Sequence, residues 1–312
     1  MALEALPLLS MRDRRGDPEG FARAMGRSYA RFGFAIVCDH GLDAGVIERA
    51  LRATKDFFAL PEEAKRRYHI AGGAGQRGYI PFGVEAAKGA DKVDLKEFWH
   101  VGRELGEGHR YRKYMPHNVW PAEIATFRED VYGLYVALDA LGLDLLESIA
   151  AFLDLPREFF REPVRDGNSV LRLLHYPPTP VKPEGVRAEA HEDINVITLL
   201  LGAQEAGLQL LTAEGEWLDV NPPEGALVVN VGDMLQRLTN HRLRSTTHRV
   251  INPAPERAHL PRYSIPFFLH FAPEYLIETL PSCMGAEHPN RYPMPITAQD
   301  FLYERLREIR LA

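Results

Sequence analysis

Apolar residues recur at helical spacing at Phe21, Ala24, Met25 and Tyr29, behind Asp17-Pro18-Glu19, a helix start with Asp at the cap, Pro at the first position and acid in the first turn. Arg31-Phe32-Gly33 breaks that rhythm, and Phe34-Ala35-Ile36-Val37-Cys38 is an apolar run of strand length. The pattern predicts further helices over 44–58 and 62–68, with Leu60-Pro61 as a boundary. The first third therefore reads as mainly helical. From Ala71 to Gly89, six glycines and a proline predict irregular structure around Arg77-Gly78-Tyr79. Gly72-Gly73-Ala74-Gly75 lacks the Gly-Lys-Ser/Thr ending of a phosphate loop. A long amphipathic helix is predicted over 121–153.

After Asp154 the texture changes to short β-like runs at 169–176, 194–201, 208–211, 226–231, 246–251 and 263–271, separated by turn-rich pieces such as Pro177-Pro178-Thr179-Pro180. Repeated short strands without strand–helix alternation predict an antiparallel sandwich or barrel. A last helix is predicted over 298–309. The fold class is thus mainly β with flanking helices (α+β).

Composition narrows the classes. The 312 residues are 46% hydrophobic and carry a net charge of −6, enough for a sizeable core and no basis for a nucleic-acid footprint or polybasic membrane anchor. Two cysteines, Cys38 and Cys283, build neither a disulfide framework nor a Cys-rich zinc site. No apolar run is long enough to span a membrane, and the start lacks the pattern of a signal peptide. The expectation is a cytoplasmic protein that acts on a small molecule, without nucleic-acid or membrane partners. Oligomeric state is not readable.

The candidate chemistry begins at His191-Glu192-Asp193. On an extended segment, residues two apart share a face, so His191 and Asp193 can converge while Glu192 turns away. An imidazole and a carboxylate are two parts of a facial triad for ferrous iron; the third is sought on a distant strand. His248, fifty-five residues after Asp193, is the candidate. A His-x-acid pair alone is weak, because it arises by chance in a chain with 12 His and 43 acids. Fourteen residues after His248, Arg262-Tyr263-Ser264 puts a guanidinium and a hydroxyl on one strand face, a receptor for a carboxylate.

In this order and spacing the chain resembles the iron(II)- and 2-oxoglutarate-dependent oxygenases, in the branch of isopenicillin N synthase and the plant flavonoid and hormone dioxygenases. The residues are His191-Glu192-Asp193-Ile194-Asn195-Val196-Ile197-Thr198, Ser245-Thr246-Thr247-His248-Arg249-Val250 and Arg262-Tyr263-Ser264. Gly33 to Gly41 and Asn230-Val231-Gly232-Asp233 also look like this branch. The resemblance implies a double-stranded β-helix (jelly-roll) core. It divides the chain into a helical N-terminal region, 1–118, and a catalytic region, 119–312, of long helix, jelly roll and C-terminal helix. It implies Fe(2+) on His191, Asp193 and His248, with O2 and 2-oxoglutarate as cosubstrates. Arg262 and Ser264 would hold the distal carboxylate, and the Tyr176 hydroxyl would add a hydrogen bond. Where relatives carry Asn-x-Tyr before a proline, this chain has Leu174 and Tyr176.

The implied reaction oxidises an unactivated C–H bond, by hydroxylation or desaturation, with succinate and CO2 as co-products. One alternative is an iron oxidase of the isopenicillin N synthase type, which uses no 2-oxoglutarate and is separated by succinate formation. Others are a binding protein that keeps the shell but takes no iron, and a zinc hydrolase active without oxygen. Strand parity places Arg172 with Tyr176 and Phe268 with Arg262 on the inner face, as candidate substrate contacts. A buried Arg172 would need an anionic substrate group or a structural carboxylate. Arg77, Tyr79, Phe98 and Trp99 either form a lid or simply pack into the core. His40 and His175 read as structural, and His100, His109, His117, His241, His259, His270 and His288 show no ligand spacing.

Overall fold

The protein was analysed as a computed structural model, which describes residues 6–73, 75–85, 94–180, 184–201 and 207–308. In chain order the strands are β1 (Leu8–Ser10), β2 (Phe34–Cys38), β3 (Gly78–Ile80), β4 (Glu97–Gly102), β5 (Val170–Tyr176), β6 (Ala188–His191) and β7 (Ile197–Leu201). There follow β8 (Leu208–Leu211), β9 (Trp217–Asp219), β10 (Leu227–Val231), β11 (His248–Val250), β12 (Arg262–Leu269), β13 (Leu276–Ile277) and β14 (Ile296–Thr297). The helices are α1 (Met11–Gly16), α2 (Pro18–Phe32), α3 (Ala44–Phe58), α4 (Glu62–Arg66), α5 (Phe127–Phe152), α6 (Arg161–Val164), α7 (Asp233–Leu238) and α8 (Ala298–Glu308).

Local chemistry sets the early boundaries where the pattern put them. Asp17 caps α2, its carboxylate accepting the Gly20 N–H at 2.8 Å, and Pro18 takes the first helical position. Gly33 ends the helix with φ +70, and a Cβ there would lie 2.3 Å from Thr246 Oγ1 and 2.4 Å from the Arg244 carbonyl. The chain then enters β2 directly.

Two sheets face each other. The large one runs β1-β2-β10-β7-β12-β5-β4-β3 and the small one β6-β11-β8-β9. Alternation along β5 and β12 sends Leu171, Leu173, Phe267 and Leu269 into the main core with α5 and leaves Arg172, Leu174, Tyr176, Arg262, Ser264 and Phe268 on the opposite, inner face. Apolar burial on both faces of the large sheet is the main force holding it in place. Helix α5 packs against α2, α3 and the back of β12 and β7.

Several expectations need correction. Strands β1, β3 and β4 complete the large sheet inside the third read as mainly helical; β4 (EFWHVG) is buried along its whole length, and its alternation is hidden because both faces are covered. The long helix starts at Phe127 because 121–126 close into successive turns, with Pro121 and Ile124 carbonyls accepting from Ile124 and Phe127. The lid alternative fails. Tyr79 and Trp99 are fully buried in an aromatic cluster around Phe57. Arg77 is buried against Gly102, and Phe98 lies beneath Arg172. Ala74 and residues 86–89 of the glycine-rich stretch, and Ile309 of the final helix, lie outside the described residues.

Candidate iron and cosubstrate site

His191 ends β6, Asp193 sits in the turn that follows, and His248 opens β11, directly opposite His191 in the sheet register. The first two ligands therefore converge at the end of β6, as their spacing of two residues led one to expect. Asp193 Oδ1 lies 4.0 Å from His191 Nε2 and 3.8 Å from His248 Nε2. One ligand atom from each of the three residues lies within 4.8 Å of the others.

The remaining polar atoms aim these three. His191 Nδ1 donates to the Glu189 carbonyl at 2.7 Å and His248 Nδ1 to the Thr246 carbonyl at 3.0 Å, so both rings turn Nε2 toward the same point. Asp193 Oδ2 accepts from Thr198 Oγ1 at 2.5 Å and Asn230 Nδ2 at 2.7 Å, leaving Oδ1 toward the imidazoles. Burial alone would raise the Asp193 carboxyl, but the two imidazoles and these donors outweigh it and hold the group below its ordinary value. Burial and the neighbouring His248 push His191 down to about 4. The donor set, two imidazoles and a carboxylate gathered on one side, fits ferrous iron.

The framing motifs have physical reasons. Asn230 supplies the donor just described. A Cβ on Gly232 would lie 2.1 Å from the Asn195 carbonyl, so glycine lets α7 begin against the turn that carries Asp193; the Asp233 N–H also donates to the Asp193 carbonyl at 2.7 Å. Phe34, just after Gly33, packs edge-on against the His248 ring with centroids 5.4 Å apart.

Arg262 and Ser264 are buried on β12. Arg262 pairs in register with Tyr176 and Ser264 with Leu174, and the Arg262 guanidinium carbon lies 5.1 Å from the Tyr176 ring centre. Leu174, Tyr176, Ile80 and Phe98 form an apolar cluster. Beside the triad, a cavity of about 300 Å³ is lined by His191, Asp193, Arg172 and Phe268 among others. Arg172 is sandwiched, its guanidinium carbon 4.2 Å from the Phe98 ring centre and 5.2 Å from that of Phe268. It ion-pairs with Glu85 at 3.2 Å and donates to His100 Nε2 at 2.6 Å. A structural carboxylate thus supplies the partner that the sequence left open.

His40 and His175 make structural bonds, to the Gly225 carbonyl and to Glu97. Sequence reasoning missed Glu85, Asp94, Lys96, His100, Asn168 and His270, all of which line the cavity. His270 was recoverable, since it shares parity with Phe268; the others become neighbours only through sheet register.

Residues 6–123 match the family described as the non-haem dioxygenase in morphine synthesis N-terminal domain, and residues 167–271 match the 2OG-Fe(II) oxygenase superfamily. The chain belongs to that superfamily, whose core is the double-stranded β-helix, and its His191, Asp193 and His248 are the iron-binding triad. It is similar to the 2-oxoglutarate-Fe(II) type oxidoreductase hxnY of Emericella nidulans, 37% identical over 282 residues, covering 86% of this chain and 79% of that one. Among solved structures it resembles a 2OG-Fe(II) oxygenase family protein of Caulobacter crescentus (56% identity, TM-score 0.92, covering 98% and 100% of the two chains). It also resembles a full-length Neurospora crassa protein solved in complex with alpha-KG (30% identity, TM-score 0.85, covering 97% and 96%). The protein is a 2-oxoglutarate- and iron(II)-dependent oxidoreductase acting on small molecules. Among the described residues no helix is long and apolar enough to cross a membrane.

Proposed function

We propose that the enzyme oxidises a C–H bond of a small molecule held in the 300 Å³ cavity, with 2-oxoglutarate anchored by Arg262, Ser264 and Tyr176. The observation that carries this reading is the triad, with every non-ligand polar atom of its three side chains already bonded to the protein. When bound, iron and 2-oxoglutarate supply an oxidative decarboxylation with dioxygen that yields succinate and CO2 and the capacity to oxidise the substrate. His191, Asp193 and His248 would hold the metal through one nitrogen or oxygen atom each, a set of three protein ligands that leaves room for the keto acid and dioxygen.

Arg262 offers a fixed fork of N–H donors and Ser264 a hydroxyl, and together they suit a distal carboxylate. Tyr176, opposite Arg262 in register, is placed to orient the same group. The apolar side chains of Ile80, Phe98 and Leu174 that pack with Tyr176 would keep water from the anchored carboxylate, which would strengthen every charged contact there. Leu174 gives up an amide contact in exchange for that dryness. Arg172 and Phe268 form the cavity wall against which substrate lies. The similar Neurospora crassa protein has been crystallised with alpha-KG and thymine together, which supports a small, compact substrate.

Anaerobic addition of ferrous iron and then 2-oxoglutarate tests the reading. A weak visible charge-transfer band at one equivalent of each is expected; iron binding with no band on adding 2-oxoglutarate, and no succinate in air, would favour the oxidase type that dispenses with the keto acid.

A further inference from the structure

Each cationic side chain of the cavity wall is matched by a carboxylate. Arg172 pairs with Glu85 at 3.2 Å, and Lys96 pairs with Asp94 at 2.6 Å and Glu85 at 3.6 Å. On the far side, Arg305 of α8 lies 3.7 Å from Asp233 and 2.7 Å from Glu308. An anion entering beside Arg172 or Lys96 would have to break a buried pair to find a counter-charge, which costs more than the new pair returns.

Two uncharged groups have capacity left over. His270 follows Phe268 by two residues on the inner face and lines the cavity. Its Nδ1 donates to the Phe268 carbonyl at 3.0 Å, so Nε2 carries a lone pair, and no described residue hydrogen-bonds it. Burial holds the ring near 4, far below its ordinary value, so it is neutral at physiological pH. Asn168 is 4% exposed, lines the same cavity, and its Oδ1 has no partner among the described residues. The two are locked together. Ser169 Oγ accepts the His270 N–H at 3.1 Å, and a Cβ on Gly167 would lie 2.1 Å from the His270 carbonyl.

We propose that this pocket selects a small molecule that bears an N–H or O–H donor and no anionic group, and that His270 Nε2 and the Asn168 amide are the groups that read it. This rests on the oxygenase reading of the site and deepens it. Phe268, half-buried with its remaining surface on the cavity, is the apolar floor for such a molecule. A buried acceptor left unsatisfied is costly, so an analogue without the donor is rejected more strongly than one of altered size.

The test is anaerobic calorimetry on protein loaded with ferrous iron and 2-oxoglutarate, using two sets of six-membered-ring probes. One set is 2-pyridone, N-methyl-2-pyridone and benzoate; the other is 2-piperidinone, N-methyl-2-piperidinone and cyclohexanecarboxylate. In at least one set the N–H member is expected to bind ten or more times tighter than both its N-methyl and its carboxylate counterparts. His270→Phe should reduce the N–H to N-methyl ratio to within about twofold. Asn168→Leu, read the same way, serves if the first variant does not fold. Failure of the N–H member to lead in either set, or a ratio unchanged in a folded variant, would overturn the proposal. The visible iron–2-oxoglutarate band is recorded first in the same sample. Its absence counts against the oxygenase reading alone, and the probe ranking is then taken on the metal-free chain, where His270 and Asn168 are still in place.

Discussion

Replacing Asn230 by Leu removes one of two donors to the Asp193 oxygen that does not face the iron, while keeping a side chain of similar volume. Asn230 is buried and its Nδ2 lies 2.7 Å from Oδ2; the other donor, Thr198 Oγ1, is at 2.5 Å. A hydrogen bond to an ionised group is worth about 1.5–3 kcal/mol. That bond fixes which oxygen faces the imidazoles, so most of its loss should appear in metal binding. The variant should therefore bind ferrous iron roughly 10–100 times more weakly. Competition against a calibrated ferrous chelator under nitrogen measures this directly, with the melting temperature of the metal-free protein as a check on folding. Thr198→Val should act in the same direction, and the double variant should lose more than either single one because the buried oxygen then has no donor. An affinity within twofold of wild type in a folded Asn230→Leu protein would refute the idea that these donors orient the ligand.

Three further outcomes are expected. Gly33→Ala forces φ +70 on a residue with a Cβ and drives that atom into Thr246 and the Arg244 carbonyl; it should cost roughly 1–3 kcal/mol in denaturant unfolding and weaken iron binding, since the Thr246 carbonyl holds His248. Arg262→Gln should raise the apparent KM for 2-oxoglutarate by roughly tenfold or more while iron affinity measured without the keto acid stays unchanged. The third outcome concerns pH, with opposite signs at two groups. Burial holds His270 near 4, so between its unfolded value of 6.5 and 4 the unfolded chain takes up the proton first, and up to about 3 kcal/mol of stability is lost as pH falls. Burial raises Asp233 to about 6, so its contribution has the other sign, present at low pH and lost as pH rises through 6. Urea unfolding of the metal-free protein at several pH values should show stability falling more steeply with acid in Asp233→Asn than in wild type; equal slopes would contradict the assignment.

The sequence was most legible where chemistry is local. The Asp17-Pro18 cap, the Gly33 stop and the 34–38 and 44–58 elements follow from rules that need only a few neighbouring residues. The triad was legible because its three residue types recur at a spacing few other functions use, and Arg172 and Phe268 because alternation along a strand survives folding. What was lost depends on contacts between distant segments. Strand β4 is covered on both faces and shows no alternation, so the sequence left Trp99 between lid and core, and the structure places it in the core. The cluster of Glu85, Asp94 and Lys96 exists only because Glu85 and 94–96 meet each other and the start of β6, with Asp94 donating its N–H to the Glu85 carbonyl and accepting the Glu189 N–H at 3.0 Å. His270 was set aside for lacking ligand spacing, although its parity with Phe268 already placed it on the inner face.

The most direct test of the iron-centred account is release of labelled CO2 from 2-oxoglutarate labelled at its 1-carboxylate, with ferrous iron and air. Wild type should release CO2 and form succinate in equal amounts, and Asp193→Ala and His248→Ala should each abolish both while remaining folded. Equal release by wild type and either variant, or none by iron-loaded wild type, would contradict the placement of the reaction at these three side chains.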